Sequence, residues 1–305
     1  MNGVIKWAGI VLGGVIGLVA IALGAVLVIS NARLNQTVEV PAETFTAPTD
    51  EESIARGEHL VEVNGCNECH GPDLGGTAFF NDPALAVIAA PNLTSGEGGA
   101  GQTFTDLDYE HAIRHGVDPD GKALFIMPAN EFAHMSNQDV GDIIAYIRSV
   151  PPVDQTWSEP QVGLMGRTFM VLGLLKAFPA ESIDQTAGHV DSVEPGVTAE
   201  YGQYLSQGCT ACHGPQFAGG PVASLPPDAP PAANLTPDEA TGIGTWSEED
   251  FFKVLRQGIP PDGSEISEYM PWQSYSNMTD DELHAIWLFL QSLPPVDNPA
   301  AVEGS

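Results

Sequence analysis

All four cysteines of the 305-residue chain lie in two copies of one short motif. The copies read GCNECHGPDLGG at Gly65–Gly76 and GCTACHGPQFAGG at Gly208–Gly220. Each copy has two cysteines separated by two residues and followed directly by a histidine: Cys66, Cys69 and His70 in the first, Cys209, Cys212 and His213 in the second. Such a pattern could support thioether attachment of haem, disulfide formation or zinc binding.

Haem attachment accounts for all six residues. Positions i and i+3 lie on one face of a helical turn, so two thiols with this spacing can bond the two vinyl groups of one porphyrin. The next residue then turns its imidazole toward the iron, and histidine is the usual proximal ligand. The sequence therefore predicts two covalently attached haem c groups, with His70 and His213 as metal ligands.

Disulfides and zinc are the other uses that four cysteines allow. Four cysteines can form two disulfides in three pairings, and two Cys-x-x-Cys pairs can ligate zinc at a suitable separation. The pairs here lie in opposite halves of the chain, much farther apart than in a compact zinc ribbon. Neither alternative explains a histidine after each second cysteine, so haem is favoured while both alternatives stay open.

The two halves of the chain form an internal repeat, which constrains the sixth ligand of each iron. FTDLDYEHAIRHGVDPDG at Phe104–Gly121 parallels WSEEDFFKVLRQGIPPDG at Trp246–Gly263. MSNQDVGDIIAYIRSVPPVD at Met135–Asp154 parallels MTDDELHAIWLFLQSLPPVD at Met278–Asp297. A residue that binds iron in both halves should have the same offset in each. None of the other histidines has a histidine counterpart, whereas two pairs of methionines match.

The methionine pairs differ in their sequence context. Met127 and Met270 share one offset from the histidine of their motif and precede proline, which favours an extended loop at the preceding residue. Met135 and Met278 share a longer offset and precede predicted capping boxes, where an apolar residue commonly packs back as a staple. The sequence favours Met127 and Met270 as iron ligands and the second pair as core residues.

Helical periodicity is clearest at the end of each half. Apolar residues recur there at i, i+3, i+4 and i+7: Val140, Ile143, Ile144 and Ile147, then Leu283, Ile286, Trp287 and Leu290. Double prolines end both helices. Middle helices are predicted to begin at Thr105 and Ser247 and to end near Gly116 and Gly258. The predicted fold class is mainly α, with Gly/Pro-rich loops that wrap the covalent haem.

From about Ser53 to Asp297 the chain resembles a tandem of class I cytochrome c domains. The phrases CHGPDLGGT, APNLT, AIRHGVDPDG and MPAN, and their partners CHGPQFAGG, AANLT, VLRQGIPPDG and MPWQ, are similar to the cytochrome subunits of membrane-bound alcohol, aldehyde and gluconate dehydrogenases. Those subunits often carry three haem motifs and a C-terminal membrane attachment. This chain has two motifs, and its apolar segment is N-terminal.

The resemblance also implies residues that contact the haem edge. Arg114 and Arg256 occupy matching positions and are expected to face haem propionates, as are Asn92 and Asn234 in the two NLT phrases. The alternative for the arginines is a solvated side chain, or one that interacts with the dipole at a helix end.

An uncharged apolar run extends from Trp7 to Ile29, between Lys6 and Arg33. Its 23 residues span about 34 Å as a helix, enough to cross a bilayer core of about 30 Å. A cleaved signal peptide, with Ser30–Ala32 at the cleavage site, is the less favoured alternative because its apolar core would be shorter. We predict a single-pass anchor in the cytoplasmic (inner) membrane. The resemblance implies that the haem domains lie on its periplasmic side.

The predicted boundaries are a transmembrane anchor at 1–34, an acidic linker at 35–52, cytochrome c domain 1 at 53–154, an interdomain linker at 155–196, cytochrome c domain 2 at 197–297 and a tail at 298–305. The linker at 35–52 is expected to act as a tether that gives the haem domains reach. Within the interdomain linker, the apolar stretch Val162–Ala180 is too interrupted for a second span. It is expected to pack across both domains, with contact to the membrane or to a partner as the alternative.

The net charge of −30 limits the possible partners. Nucleic acid is excluded, because its phosphates would repel so acidic a protein. A docking surface for a basic redox partner and adaptation to a saline environment explain the charge equally well.

Together these features predict an electron-transfer protein rather than an enzyme. We expect a membrane-anchored dihaem cytochrome that relays single electrons from a quinol-oxidising complex or a dehydrogenase subunit to a soluble cytochrome or terminal oxidase. The alternative from another class is a dihaem peroxidase with one open haem site, which the matching methionines disfavour. A third alternative is a haem subunit that only holds a larger complex together.

Overall fold

The computed structural model is mainly helical and describes residues 2–41, 44–222, 225 and 228–302. Met1 and residues 42–43, 223–224, 226–227 and 303–305, which fall in the predicted anchor, linker, second domain and tail, lie outside the described residues. The α-helices of the described residues are α1 (Asn2–Leu34), α2 (Glu51–Val63), α3 (Cys66–His70), α4 (Asp106–Glu110), α5 (Ala129–Phe132), α6 (Asn137–Ser149), α7 (Leu164–Val171), α8 (Ala199–Leu205), α9 (Thr210–His213), α10 (Glu248–Gln257), α11 (Trp272–Tyr275) and α12 (Asp280–Ser292).

Shorter elements complete the two halves. A π-helical turn, His111–His115, continues α4, and four 3-10 turns cover Ala100–Gln102, Pro179–Ser182, Gln207–Cys209 and Pro299–Ala301. The one sheet in the described residues is antiparallel in the order β1 (Thr77–Asp82), β2 (Ala86–Ala90), β3 (Gln161–Val162). The predicted fold class is therefore confirmed.

Each half has its own core, in which the first long helix packs against the last. In the first half α2 contacts α6, and in the second α8 contacts α12. The predicted apolar faces of the last helices are buried, with Ile144 and Leu283 both fully enclosed.

The predicted helix starts are confirmed at all four sites, and three of them have a complete capping box. Complete capping boxes form at Thr105 with Asp108, at Ser247 with Asp250 and at Thr279 with Glu282. At the fourth site, Ser136 accepts from the Asp139 backbone N–H, but the Asp139 carboxylate does not bond back to Ser136. A side chain from the second domain takes that place.

The two domains meet through reciprocal contacts. Tyr204 of α8 donates its hydroxyl hydrogen to the Asp139 carboxylate at the start of α6. His59 of α2 lies 2.9 Å from both carboxylate oxygens of Glu282 at the start of α12. His59 and Tyr204 match in the repeat, as do Asp139 and Glu282, so an approximate two-fold axis relates the domains. Val63 of α2 adds an apolar contact by packing into the core of the second domain.

The segment predicted to be a tether is packed against the first domain. The Val38 N–H donates to the Gly121 carbonyl at 2.8 Å, and the Ala123 N–H donates to the Gln36 carbonyl at 3.0 Å. Farther along, Ala47 is buried in the first core. The tether expectation was therefore wrong, because these contacts hold the C-terminal end of α1 against the first domain.

The stretch Val162–Ala180 was expected to pack across both domains, and the structure corrects this. Within the described residues, the hydrogen bonds that Val162–Ala180 makes outside the interdomain linker run to the first domain and to α1. Arg167 Nη1 donates to Ser30 Oγ of α1 at 3.0 Å, and Arg33 Nη1 donates to the Met170 carbonyl at 3.1 Å. This stretch therefore packs against the C-terminal end of α1 and against the first domain.

Helix α1 is exposed along most of its length. Among the described residues it is the one helix long and apolar enough to cross a membrane, and an 18-residue window within Ile5–Leu34 reaches a mean hydropathy of 2.7. Its length and composition make it a candidate membrane span.

Candidate haem sites

The Cys-x-x-Cys-His motifs form the helical turns that haem attachment requires. In the first domain all three motif residues lie in α3. In the second, Cys209 ends a 3-10 turn, and Cys212 and His213 lie in α9. All four thiols are free of disulfides. No cluster of three or more potential metal ligands occurs in the described residues, so the two motifs do not come together as a zinc site there.

Both motif histidines are buried and held in one orientation. His70 Nδ1 lies 2.9 Å from the Pro91 carbonyl oxygen, and His213 Nδ1 lies 2.7 Å from that of Ala233. A carbonyl only accepts, so Nδ1 carries the hydrogen and Nε2 keeps its lone pair for a metal. Burial lowers the pKa of both imidazoles, which favours the neutral, ligating form.

The loops after the histidines reinforce this arrangement. The Gly76 N–H donates to the His70 carbonyl at 2.7 Å, and the Gly219 N–H donates to that of His213 at 2.9 Å. Leu74 and Phe217, at equivalent positions, are both buried with positive φ angles of 56° and 58°. A bulky residue rarely adopts this conformation, so its repetition in both halves marks the loop as a defined structure.

The NLT asparagines stabilise the carbonyl partners of the histidines. Asn92, directly after Pro91, donates its amide hydrogens to the Val153 carbonyl at 2.6 Å and the Gln155 carbonyl at 3.1 Å. Its own oxygen accepts from Thr94. Asn234 makes the equivalent bonds to Thr241, Val296 and Thr236. These bonds already use the amide hydrogens of both asparagines. The contact of the asparagines with haem propionates stays a prediction.

The methionine environments agree with the favoured assignment. Met127 and Cys66 are both partly buried and pack against the first core, and Met270 and Cys209 pack against the second core in the same way. Met135 and Met278 lie inside the two cores and are only 5% and 8% exposed. Each methionine of the first pair therefore packs against the same core as a motif cysteine, and the role of this pair as ligands stays a prediction.

The loop before Met127 has an unusual backbone. Ile126 has φ 66°, which is an outlier for a β-branched residue. Its N–H donates to the Ala177 carbonyl at 2.8 Å, so the segment after α7 holds the loop in place. Among the described residues no non-glycine residue with positive φ precedes Met270 in this way, so the two methionine loops are supported differently.

The paired arginines make equivalent contacts, although these are not the contacts predicted. Arg114 Nη2 donates to Asn137 Oδ1 at 2.8 Å, and Arg256 Nη2 donates to Asp280 Oδ1 at 2.8 Å. Asn137 and Asp280 are the first residues of α6 and α12. Each arginine thus ties the middle helix of its domain to the start of the last one. A contact with a propionate stays a prediction.

A buried polar cluster occurs in the first domain that sequence reasoning did not identify. Glu110 Oε1 lies 3.2 Å from Arg114 Nε and 3.6 Å from His115 Nε2. Desolvation alone would raise the pKa of Glu110, but the hydrogen bond from His115 and the charge of Arg114 outweigh it and lower that pKa. Phe252 takes the place of Glu110 in the second half. The signal available in the sequence was this replacement of an acid by an aromatic residue.

The two haem-motif turns are brought together across the domain interface. Glu68, between the cysteines of the first motif, accepts a hydrogen bond from Ser274 in α11, the short helix after Met270. Glu131 occupies the position equivalent to Ser274 in α5. Helix α5 contacts the 3-10 turn Gln207–Cys209, and a Cβ at Gly208 would lie 3.9 Å from the Glu131 carbonyl oxygen, so α5 lies beside the second motif. Each motif turn therefore packs on the helix that follows the other domain's methionine.

These features define the class of protein. Each motif presents two thiols and one imidazole whose Nδ1 is bonded to a backbone carbonyl, which leaves Nε2 for a metal. These residues fit a covalently bound haem c. Two such sites on one mainly helical chain define a dihaem c-type cytochrome.

Comparison with known proteins gives the family. The cytochrome c family profile matches residues 54–151 and 199–294, and the chain belongs to this family. It is 30% identical over 279 residues to the cytochrome c subunit of the quinone alcohol dehydrogenase of Gluconacetobacter polyoxogenes, covering 82% of this chain and 58% of that protein. The chain thus spans little more than half of that relative's length.

Two further relatives cover more of this chain. A dihaem c-type cytochrome of Cereibacter sphaeroides is 27% identical over 296 residues, which are 87% of this chain and 93% of that protein. The fructose dehydrogenase cytochrome subunit of Gluconobacter japonicus is 26% identical over 303 residues, which are 90% of this chain and 59% of that protein. Two of these relatives are named as cytochrome subunits of dehydrogenases, and the third is named as a dihaem c-type cytochrome. As a member of the cytochrome c family, this chain carries covalent haem c and serves in electron transfer.

Proposed function

We propose that this chain is a membrane-anchored electron relay with one haem in each domain. It would accept single electrons from a quinol-oxidising complex or a dehydrogenase subunit and pass them to a soluble cytochrome or terminal oxidase. The observation that carries the proposal is the reciprocal packing of the two haem-motif turns, because it brings the two attachment sites to one interface in a fixed orientation. The names of the relatives support a dehydrogenase as the donor.

The chain's own residues hold the group and set its properties. Bound haem c supplies an iron that changes between ferrous and ferric states without making or breaking substrate bonds. The four cysteines would fix the porphyrins, His70 and His213 would bind through Nε2, and Met127 and Met270 would close the opposite face. Arg114 and Arg256, and less directly Asn92 and Asn234, would support the propionate edges.

The proposed location follows from α1. Its apolar run is long enough to span the inner membrane, and the linker at 35–52 joins it to the first haem domain. We infer that they lie on the outer, periplasmic side, where the resemblance implies that haem c is attached. The contacts of Gln36, Val38 and Ala47 with the first domain support haem domains that lie close to that membrane surface.

The test is an optical redox titration of the purified dihaem protein, with carbon monoxide, cyanide and peroxide added in both redox states. Two low-spin haems that bind none of these ligands are expected for the relay. A high-spin or ligand-binding haem in the unmodified protein would overturn it and favour the peroxidase alternative.

A matched pair of variants assigns the ligand. Met127→Leu is expected to open the first haem to carbon monoxide, whereas Met135→Leu, a swap of similar volume in the core, should leave both haems closed. Equal behaviour of the two variants would refute the assignment of Met127. Met270→Leu and Met278→Leu test the second domain in the same way.

A further inference from the structure

Helix α7 lies against the outer end of the anchor helix. Ser30 of α1 is fully buried and accepts a hydrogen bond from Arg167 of α7. Val26, one turn earlier on the same face of α1, is half-buried, whereas the surrounding residues of the helix are exposed. The contact therefore begins within the last turn of the apolar run, which ends at Ile29.

This contact fixes the height of α7 relative to a bilayer. Val26 and Ser30 are separated by about 6 Å along the helix axis. A run of 23 apolar residues matches the thickness of the hydrocarbon core, so its last turn lies at the outer boundary of the acyl chains. Helix α7 consequently lies where the acyl chains meet the headgroups.

The face of α7 turned away from the protein is apolar. Gly166 and Met170 form the inner face: Met170 is fully buried, and a Cβ at Gly166 would lie 2.2 Å from the Leu85 carbonyl oxygen. The exposed apolar residues, with their exposed fractions, are Leu164 (50%), Met165 (43%), Phe169 (37%), Leu172 (64%) and Leu174 (70%). Five large apolar side chains exposed within eleven residues mark an interaction surface rather than scattered exposure.

Basic residues flank this face in a chain that is otherwise acidic. Arg33 forms an ion pair with Glu181 at 2.6 Å, and Arg167 donates to Ser30 in the contact between α1 and α7. Lys176 is the basic residue that lies exposed at the edge of this face, just beyond Leu174. Helices that lie in the membrane interface combine an apolar face with such basic residues, which attract anionic headgroups. The charge favours a lipid surface over a basic redox protein as the occupant.

We propose that α7 and the turn through Lys176 insert their apolar side chains into the outer leaflet beside α1. This surface, Leu164–Lys176, gives the chain a second membrane contact. A single membrane-spanning helix would leave the haem domains free to rotate about the axis of that helix. Two membrane contacts fix which side of the first domain faces the bilayer. The inference rests on the proposed anchoring by α1, and it goes beyond it by assigning an orientation.

The test uses the full-length dihaem protein reconstituted in vesicles of zwitterionic and anionic phospholipid. Leu172→Cys carries a nitroxide spin label, and its matched control is Leu288→Cys, an exposed leucine (38%) on α12 of the second domain. Collision rates with oxygen, which enriches in lipid, and with a water-soluble nickel chelate are measured at each site. We expect a higher oxygen-to-nickel ratio at Leu172 than at Leu288.

The other outcomes overturn the inference and are distinguishable. If the protein floats with the vesicles but the label at Leu172 collides frequently with the nickel chelate, α1 anchors the chain while α7 stays in water. If the label collides rarely with both oxygen and the nickel chelate, a protein surface, such as a second copy, covers α7. Protein that fails to float with the vesicles would refute the anchor itself, and with it this contact.

Discussion

Tyr204 of the second domain completes the helix cap of the first domain by donating its hydroxyl hydrogen to Asp139. The same hydroxyl oxygen accepts from the Ser136 N–H at 2.9 Å, which occupies the position that the Asp139 carboxylate fills in a capping box. In the second domain Glu282 both caps α12 and contacts His59. Helix starts and the domain interface are therefore stabilised by the same residues, which fixes the relative orientation of the two haem sites.

Tyr204→Phe should weaken the joint between the domains. The change leaves the Asp139 carboxylate and the Ser136 N–H without their shared partner, so we expect a loss of about 1–3 kcal/mol in the stability of the first domain. Urea unfolding followed by haem absorbance measures it. Tyr201→Phe, in the ring stacked on Tyr204, is the control and should change stability by less than about 0.5 kcal/mol. Equal losses for both variants would contradict this role of the hydroxyl.

The contact between His59 and Glu282 should make stability depend on pH. The hydrogen bond that His59 donates to the Glu282 carboxylate is the main cause that raises the pKa of His59 above 6.5. A pKa raised by folding stabilises fully below the ordinary value, and this contribution is lost as pH rises through the raised pKa. The stability difference between the wild type and His59→Leu should therefore be largest below pH 6.5 and shrink as pH increases. A difference that stays constant from acid to alkaline pH would show that the charge of His59 plays no part.

Asn92→Ala separates the loop role of this residue from a propionate contact. Removing the amide leaves the Val153 and Gln155 carbonyls without a donor, so the first domain should lose about 1–3 kcal/mol in stability. The Pro91 carbonyl should also become less ordered, and the midpoint potential of the first haem should shift while the second stays constant. Asn234→Ala is the matched variant and should act on the second haem alone. A change in potential with no loss of stability would favour direct contact with the propionate.

Much of each domain could be predicted from the sequence because its signals are local. The Cys-x-x-Cys-His turn, the MP loop and the starts of the middle helices each depend on residues within a few positions of one another. The internal repeat added a test that a single domain lacks, since Met127 and Met270 had to agree. Asn92 and Asn234 were identified by their NLT phrases, but their partners, such as Val153, are distant in the sequence and carry no motif.

The arrangement of the domains could not be predicted, because it depends on unlike residues at equivalent positions. His59 and Tyr204 differ in type, so aligning the halves hides that both bind a carboxylate at a helix start. The linker at 35–52 was interpreted as a tether from its polarity, although Ala47 packs into the core. Contacts that depend on surfaces formed only after folding leave no periodic signal along the chain.

Glu131→Gln should raise the midpoint potential of the second haem. The Glu131 carboxylate lies beside the turn that carries Cys209 and Cys212, as its effect on the pKa of both thiols indicates. A nearby negative charge stabilises the ferric state, so its removal favours reduction by on the order of 1 kcal/mol, or about 40 mV for one electron. Spectroscopic redox titration measures the shift, with the first haem as an internal reference. Glu159→Gln, a carboxylate that is 87% exposed, is the control and should leave both potentials unchanged. Two outcomes would contradict this prediction: Glu131→Gln shifts the midpoint potentials of both haems equally, or Glu159→Gln shifts them as much as Glu131→Gln does. Either outcome would mean that the overall charge of the protein sets the potential, rather than the packing of α5 on the second motif.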